Sequence, residues 1–288
     1  MNGVSIRLKQ WHAQLASKAF IATELARAYA LPGGGMRILI SDRDGWTDVM
    51  RRKFRLTRHA VTFGDLTRAS LEDYDLVVPL TIEDLKFLDT VRDRIADNPI
   101  PIPSMQSVLL CDDKQQFNQV LVRKGFGEYI PRTGSQIGYP YILKKSIDEA
   151  GQHSHIVVDK AQEEGLSDKR TDPDYFAQDF VVGPVEYATH VLFKDGRVVF
   201  SLNIEYGFDT DTPIKGRNSP SYRLLGHCPH QELFAAVLSA IGFEGLCCFN
   251  YKIRDNRPLL LEINPRFGRS LCGYFFAYIR HFARERAL

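Results

Sequence analysis

A chain of 288 residues, 44% hydrophobic and 25% charged, has the composition of an ordinary globular protein and the length for one multi-lobed unit or a few subdomains. A formal net charge of +2 gives no electrostatic case for a nucleic-acid partner, and no apolar run approaches the ~20 residues that span a bilayer, so no membrane partner is expected. The cysteines (Cys111, Cys228, Cys247, Cys248 and Cys272) are odd in number and lack a metal-ligand spacing, which points to reduced thiols in a cytoplasmic protein.

Residues 5–30 set Arg7, Lys9, Lys18 and Arg27 against a single Glu24 and space Leu8, Trp11, Leu15, Ala19, Ala22 and Ala26 for one face of a helix. A basic amphipathic helix serves as a transit peptide, as a membrane-surface element or as a docked helix with a solvated basic face; the docked helix is the preferred reading. It also offers a surface for a second copy of the chain, so a homodimer stays open. Gly33-Gly34-Gly35 breaks the helix, and Met36 is an alternative natural start.

Arg37-Ile38-Leu39-Ile40-Ser41 and Asp75-Leu76-Val77-Val78-Pro79-Leu80 read as short buried strands, the second followed by a helix over 82–96. Strands alternating with helices imply a small parallel α/β unit, and the absence of Gly-x-Gly-x-x-Gly after the first strand leaves it without a dinucleotide fingerprint. Asn98-Pro99-Ile100-Pro101-Ile102-Pro103 is the best linker in the chain.

Beyond it, Asp112-Asp113-Lys114-Gln115-Gln116-Phe117 opens a helix that closes at Gly125-Phe126-Gly127. Tyr139-Pro140-Tyr141-Ile142-Leu143-Lys144-Lys145 is an apolar strand carrying a lysine, either a phosphate-binding point charge or a snorkelling side chain. Residues 146–174 read as polar loop with a helix near 159–166, and His153 and His155 there are catalytic candidates or plain loop residues. Strands return at 175–182, 186–193 and 197–204, with Asp195-Gly196 as a hairpin turn. A loop over 206–223 precedes a helix at 230–241 and strands at 246–253 and 258–263, which turn at Asp255-Asn256.

The most informative stretch is Leu259-Leu260-Leu261-Glu262-Ile263-Asn264-Pro265-Arg266-Phe267-Gly268. Side chains alternate along a strand, so Glu262, Asn264 and, if the strand continues, Arg266 share one face while Ile263 turns to the core. Two oxygen donors beside a cation suit a hard divalent ion that arrives with phosphate oxygens. The plain alternative is a strand exit whose polar tips are solvated.

The stretch closely resembles the Glu-x-Asn-Pro-Arg metal signature of the ATP-grasp ligases, and the resemblance extends from about Met36 to Ser270. It implies an α/β (α+β) ATP-grasp fold: an N-terminal helical extension over 1–35, a pre-ATP-grasp α/β domain over 36–103, a lobe with a lid over 104–178 and a C-terminal lobe with the metal site over 179–288. Lys114 and Lys144 match the family's two nucleotide-contacting lysines. Tyr175-Phe176-Ala177-Gln178-Asp179-Phe180-Val181-Val182-Gly183-Pro184-Val185-Glu186 matches its hinge. Gln178, Asp179, Phe180 and Val182 then border the adenine, Glu186 holds the ribose, and Ser154 in the lid and Leu261 before the metal ligands complete the ATP contacts. Glu262, Asn264 and Asn250 are the implied ligands of magnesium, or of manganese in its place, and Arg266 is the implied catalytic cation.

Three features depart from the family pattern. Asn250 stands where an acidic ligand is usual, Arg269 replaces a glycine after the Pro-Arg, and the lid span over 146–155 is poor in glycine and carries Asp148 and Glu149. The implied activity is an ADP-forming ligase that activates a small-molecule carboxylate as an acyl phosphate for an amine or thiol. Arg217 and Arg223, with Arg269, are candidate substrate clamps or solvated charges. A small-molecule kinase and a weakened ATP-binding regulatory protein are the alternatives.

Overall fold

The computed structural model describes residues 3–29, 35–149 and 151–283. The expected break at Gly33-Gly34 lies outside them. Helix α1 (Gly3–Tyr29) is followed by β1 (Arg37–Ser41), α2 (Thr47–Phe54), β2 (Ala60–Gly64), β3 (Leu76–Val78) and α3 (Ile82–Thr90). The three strands form a parallel sheet in the order β2-β1-β3, as alternating strands and helices require. Thr81 starts α3 with a reciprocal capping box to Asp84. Strand β2 has no sequence expectation: it is a half-exposed edge strand and makes no buried apolar run.

The proline linker is held by Arg92, which donates to the carbonyls of Ile102 and Pro103 at 2.8 and 2.7 Å. Two helices follow, α4 (Met105–Asp112) and α5 (Lys114–Leu121), where one was expected. Asp113 separates them in extended conformation and caps α5 by accepting from the Gln116 N–H, which puts Lys114 in the first helical turn.

Next come β4 (Tyr141–Lys145), β5 (Ser154–Val157), the short helices α6 (Lys160–Glu164) and α7 (Ser167–Thr171), and β6 (Tyr175–Asp179). They build an antiparallel sheet in the order β5-β4-β6. The last part holds β7 (Val185–Lys194), β8 (Arg197–Gly207), β9 (Tyr222–Gly226), α8 (Gln231–Ala240), β10 (Gly245–Arg254), β11 (Arg257–Asn264) and α9 (Phe276–Ala283). Its antiparallel sheet runs β11-β10-β7-β8-β9. Asp195 with Gly196, and Asp255 with Asn256, take positive φ in the two tight hairpins, as their turn chemistry predicts. The loop expected over 206–223 is shorter, because β8 runs to Gly207 and β9 begins at Tyr222. Strands β5 and β9, both short sheet edges, also escape the sequence reading.

The core lies on both faces of the five-stranded sheet. On one, Val191, Phe193, Cys247, Phe249, Leu260 and Ile263 pack against Phe117 and Leu121 of α5 and Phe234 of α8, with the Phe234 and Phe249 rings stacked at 4.2 Å. On the other, Ala188, Leu192, Leu202, Ile204 and Cys248 meet the parallel unit through Ile38 and Met50 and α9 through Phe276 and Ile279. Neighbouring Cys247 and Cys248 thus point to opposite faces, and all five cysteines are buried free thiols. Helix α1 packs along β9 and α9. Its expected apolar stripe does not make that contact: Ala13, Phe20, Ile21 and Leu25 turn inward, whereas Leu8 and Leu15 are exposed and Trp11 is 60% exposed. Phe20, edge-on to Tyr274 at 6.2 Å, decides which face docks.

His190 on β7 is fully buried, and its Nε2 lies 2.7 Å from Ser270 Oγ. A Cβ at position 268 would sit 2.6 Å from its ring, so Gly268 is needed for close approach. Burial, with a smaller effect of the Lys215 charge, pushes the imidazole down to about 3. An unfolded histidine binds its proton near 6.5. The unfolded chain therefore gains the proton first, and stability falls as pH drops from about 6.5 toward about 3. We expect His190→Gln to flatten this part of the acid limb in urea midpoints measured across pH.

Candidate functional site

The expected metal residues meet at the end of β11. The β10–β11 pairing carries a bulge after the Asn250–Glu262 pair, so Tyr251 faces Leu260 and Leu261 is the extra residue. The bulge turns the Leu261 carbonyl toward β4, where the Lys144 ammonium donates to it at 3.4 Å. Asn250 and Asn264 each donate from Nδ2 to Glu262 Oε1, at 2.6 and 3.2 Å. Ile263 is buried on the other face, as the strand period requires.

Lysines surround this carboxylate. Lys114 Nζ lies 3.6 Å from Glu262 Oε2 and donates to the Asp148 carbonyl of the lid at 2.7 Å. Lys215, from the loop before β9, lies 3.3 Å from Glu186 Oε1 and donates to Asn250 Oδ1. Burial by itself raises the Glu262 pKa, but Lys114, Lys215 and Lys144 outweigh it and hold the group down at about 2. Burial pulls the Lys144 ammonium down to about 8, against the pull of Glu262. Burial also lowers Lys215, yet Glu186 and Tyr206 leave it above its ordinary value. Among the described residues no three His, Cys, Asp or Glu groups converge on one point. The donor set is one carboxylate and two amides, which fits a hard ion that takes its remaining ligands from phosphate and water.

Other expected residues have different partners. Gln178 is fully buried and donates from Nε2 to the Pro131 carbonyl at 3.2 Å, which ties β6 to the segment before β4. The Asp179 carboxylate is engaged by Arg132 Nε at 2.7 Å. Phe180 is buried and Val182 is 52% exposed, in the crossover over 180–184 between the two antiparallel sheets. Glu186 is buried beside this crossover. Ser154 sits on β5 opposite Lys144, not in the lid loop. Arg217 donates to the Gln152 carbonyl, and Arg223, on β9, lies over the Tyr206 ring at 5.5 Å. Arg269 is exposed, 4.0 Å from where a Cβ on Gly45 would stand. His153 bonds to Asp148 within the lid, and His155 lies on β5, its pKa lowered chiefly by burial.

Sequence reasoning missed three members. Lys215 lies in the loop expected over 206–223, and only the fold brings it to Asn250. Arg43, just after β1, reaches the lid residue Glu149 at 2.8 Å. Lys252, buried on β10 two residues past Asn250, donates to the Gly183 carbonyl at 2.6 Å and stands over Phe180 at 5.4 Å. Its place on the face of Asn250, by strand period, was the available signal.

No family model and no curated protein matches the chain by sequence. Solved structures do match. The D-alanine–D-alanine ligase of Bacillus anthracis aligns over 88% of this chain and 99% of its own at 14% identity, with a TM-score of 0.55. The L-amino acid ligase of Bacillus licheniformis aligns over 85% and 70% at 15% identity, TM-score 0.55. The N5-carboxyaminoimidazole synthase of Aspergillus clavatus, solved with ADP, aligns over 87% and 77% at 16% identity, TM-score 0.56. The chain has the ATP-grasp fold.

Lys252→Met keeps the aliphatic stem and deletes the ammonium that holds Gly183. Loss of one charge-assisted hydrogen bond predicts a destabilisation of about 1–2 kcal/mol, read as a lower urea midpoint at unchanged slope.

Proposed function

We propose that the chain is an ATP-dependent ligase that activates a carboxylate as an acyl phosphate for attack by an amine or thiol, releasing ADP and phosphate. The observation that carries this reading is a cluster of three lysines at the end of β11: Lys114 lies 3.6 Å from Glu262, which Asn250 and Asn264 flank, Lys215 lies 3.3 Å from Glu186, and Lys144 donates to the Leu261 carbonyl. Three cations exceed what the two carboxylates, Glu262 and Glu186, neutralise, and a polyphosphate supplies the missing negative charge. The similarity in fold to ligases, one of them solved with ATP, supports the same assignment.

In this reading the three lysines hold the phosphates, the backbone over 179–182 meets the adenine edge beside Phe180 and Leu261, and Glu186 takes the ribose hydroxyls. Glu262 and Asn264 hold magnesium, with manganese as its substitute; Asn250 joins them once Lys215 turns from its amide to a phosphate. The bound ion screens the phosphate charge. An oxygen of the substrate carboxylate then bonds to the γ-phosphorus as the bond to ADP breaks. Arg266 stabilises the charge on the transferring group. The nucleophile bonds to the acyl carbon, phosphate leaves with the bonding electrons, and the proton shed by the nucleophile passes to phosphate or water. The closed lid over 146–153 keeps water from the acyl phosphate.

The test is nucleotide chromatography after incubation with ATP, magnesium and a fractionated metabolite extract. We expect ADP formation that needs both an acid and an amine or thiol fraction, reduced at least about a hundredfold in Glu262→Ala. AMP as product sinks the acyl-phosphate route, and full activity of Glu262→Ala sinks the site assignment. ADP without a nucleophile fraction favours a kinase. The neutral Asn250 gives one second reading its basis, a nucleotide-binding protein without turnover, which ATP binding without ADP formation would favour.

A further inference from the structure

Two guanidinium groups from distant parts of the chain meet on one carboxylate of the lid. Arg43, in the turn after β1, donates from Nη2 to Glu149 Oε1 at 2.8 Å, and Arg266, just beyond β11, donates from its own Nη2 to the same oxygen. Trp46 backs both, with the guanidinium carbons 4.1 and 6.0 Å from its ring. Arg43 is braced further by donating to the Leu80 carbonyl at 3.4 Å, and Arg266 by donating to the Phe267 carbonyl at 3.1 Å. The cations belong to the wall: the Arg266 side chain is only 10% exposed, and Trp46 is buried. The carboxylate belongs to a loop, and its side chain is 55% exposed.

The lid is therefore seated on a pre-built anion site. In the ligase reading the phosphates of a nucleotide fall to Lys114, Lys144 and Lys215, whose hydrogen-bond and ion-pair partners among the described residues are Glu262, Asp148, Leu261, Glu186 and Asn250 and not Glu149. What occupies the anion site is a propionate, the side chain of Glu149. We propose that the Arg43–Arg266 pair is the binding site for the acid substrate, an aliphatic carboxylate, and that Glu149 is a built-in competitor displaced when the acid enters. The assignment rests on the ligase reading above and adds Arg43 as the residue that selects the acid. Arg266 serves both steps, first orienting the carboxylate and then facing the transferring group. Glu149 keeps two close guanidinium groups compensated when no acid is present.

Trp46 reports on this site. The chain has two tryptophans, and Trp11→Phe leaves Trp46 as the sole indole emitter. We expect succinate, titrated into this background without nucleotide, to change the Trp46 emission saturably. Glu149→Gln removes the competing charge and should tighten succinate binding about tenfold, whereas Arg43→Gln should weaken it at least about tenfold. ATP affinity, measured by calorimetry on the same proteins, should change little. Unchanged succinate affinity in Arg43→Gln, or no tightening in Glu149→Gln, would overturn the proposal. Tighter binding of inorganic phosphate than of succinate would overturn the carboxylate assignment. Wild-type protein that binds ATP but not succinate refutes this inference alone, while a succinate response without ATP binding refutes the ligase reading and leaves the anion site standing.

Discussion

The arrangement depends on one half-buried carboxylate held ionised by neighbouring lysines. Glu262 sits on β11, Lys144 on β4 of a different sheet, Lys114 at the head of α5 and Lys215 in the loop before β9. A charge removed from water is tolerated only when opposite charges and hydrogen bonds replace the solvent. Glu262 is therefore compensated from three other elements, and those elements meet where it lies. The Leu261 carbonyl, at the bulge on this edge strand, adds a hydrogen bond to the Lys144 ammonium.

The lid is tied down by cations from several parts of the molecule: Lys114 on the Asp148 carbonyl, Arg43 and Arg266 on the Glu149 carboxylate, and Arg217 on the Gln152 carbonyl. Each is an individually modest contact. In the proposed function an acid ligand competes with Glu149 for Arg43 and Arg266, so its entry frees that one lid side chain. Of the acidic pair in the lid, Glu149 is the counter-charge of the two guanidinium groups, while the Asp148 carboxylate accepts from the His153 N–H at 3.0 Å inside the loop.

Much of the centre was legible from local chemistry. The period of two along β11 places Glu262 and Asn264 on one face, and the Asp-Gly and Asp-Asn pairs mark their hairpins. The polar edge strands β5 and β9 were not legible, because half-buried edges carry no apolar run. Residues that act only through tertiary placement were hidden as well: nothing near Arg43 or Lys215 in sequence says that one will face Arg266 and the other Asn250. The Gln178 and Asp179 side chains fall at a matching position, yet the fold spends them on the Pro131 carbonyl and Arg132.

Those last two bonds belong to a larger lacing. The Asp179 N–H donates to the Arg132 carbonyl at 2.8 Å and the Gly134 N–H to the Ala177 carbonyl at 3.2 Å, so the chain enters and leaves the β5-β4-β6 lobe through adjacent, hydrogen-bonded segments. The lobe is one contiguous stretch whose ends are clasped together. Such a piece can be lengthened, shortened or exchanged between proteins as a cassette, since its replacement leaves the path of the remaining chain uncut. Variation in what the grip closes over can thus accumulate on one side of the clasp, while the carboxylate-bearing sheet on the other side stays as it is.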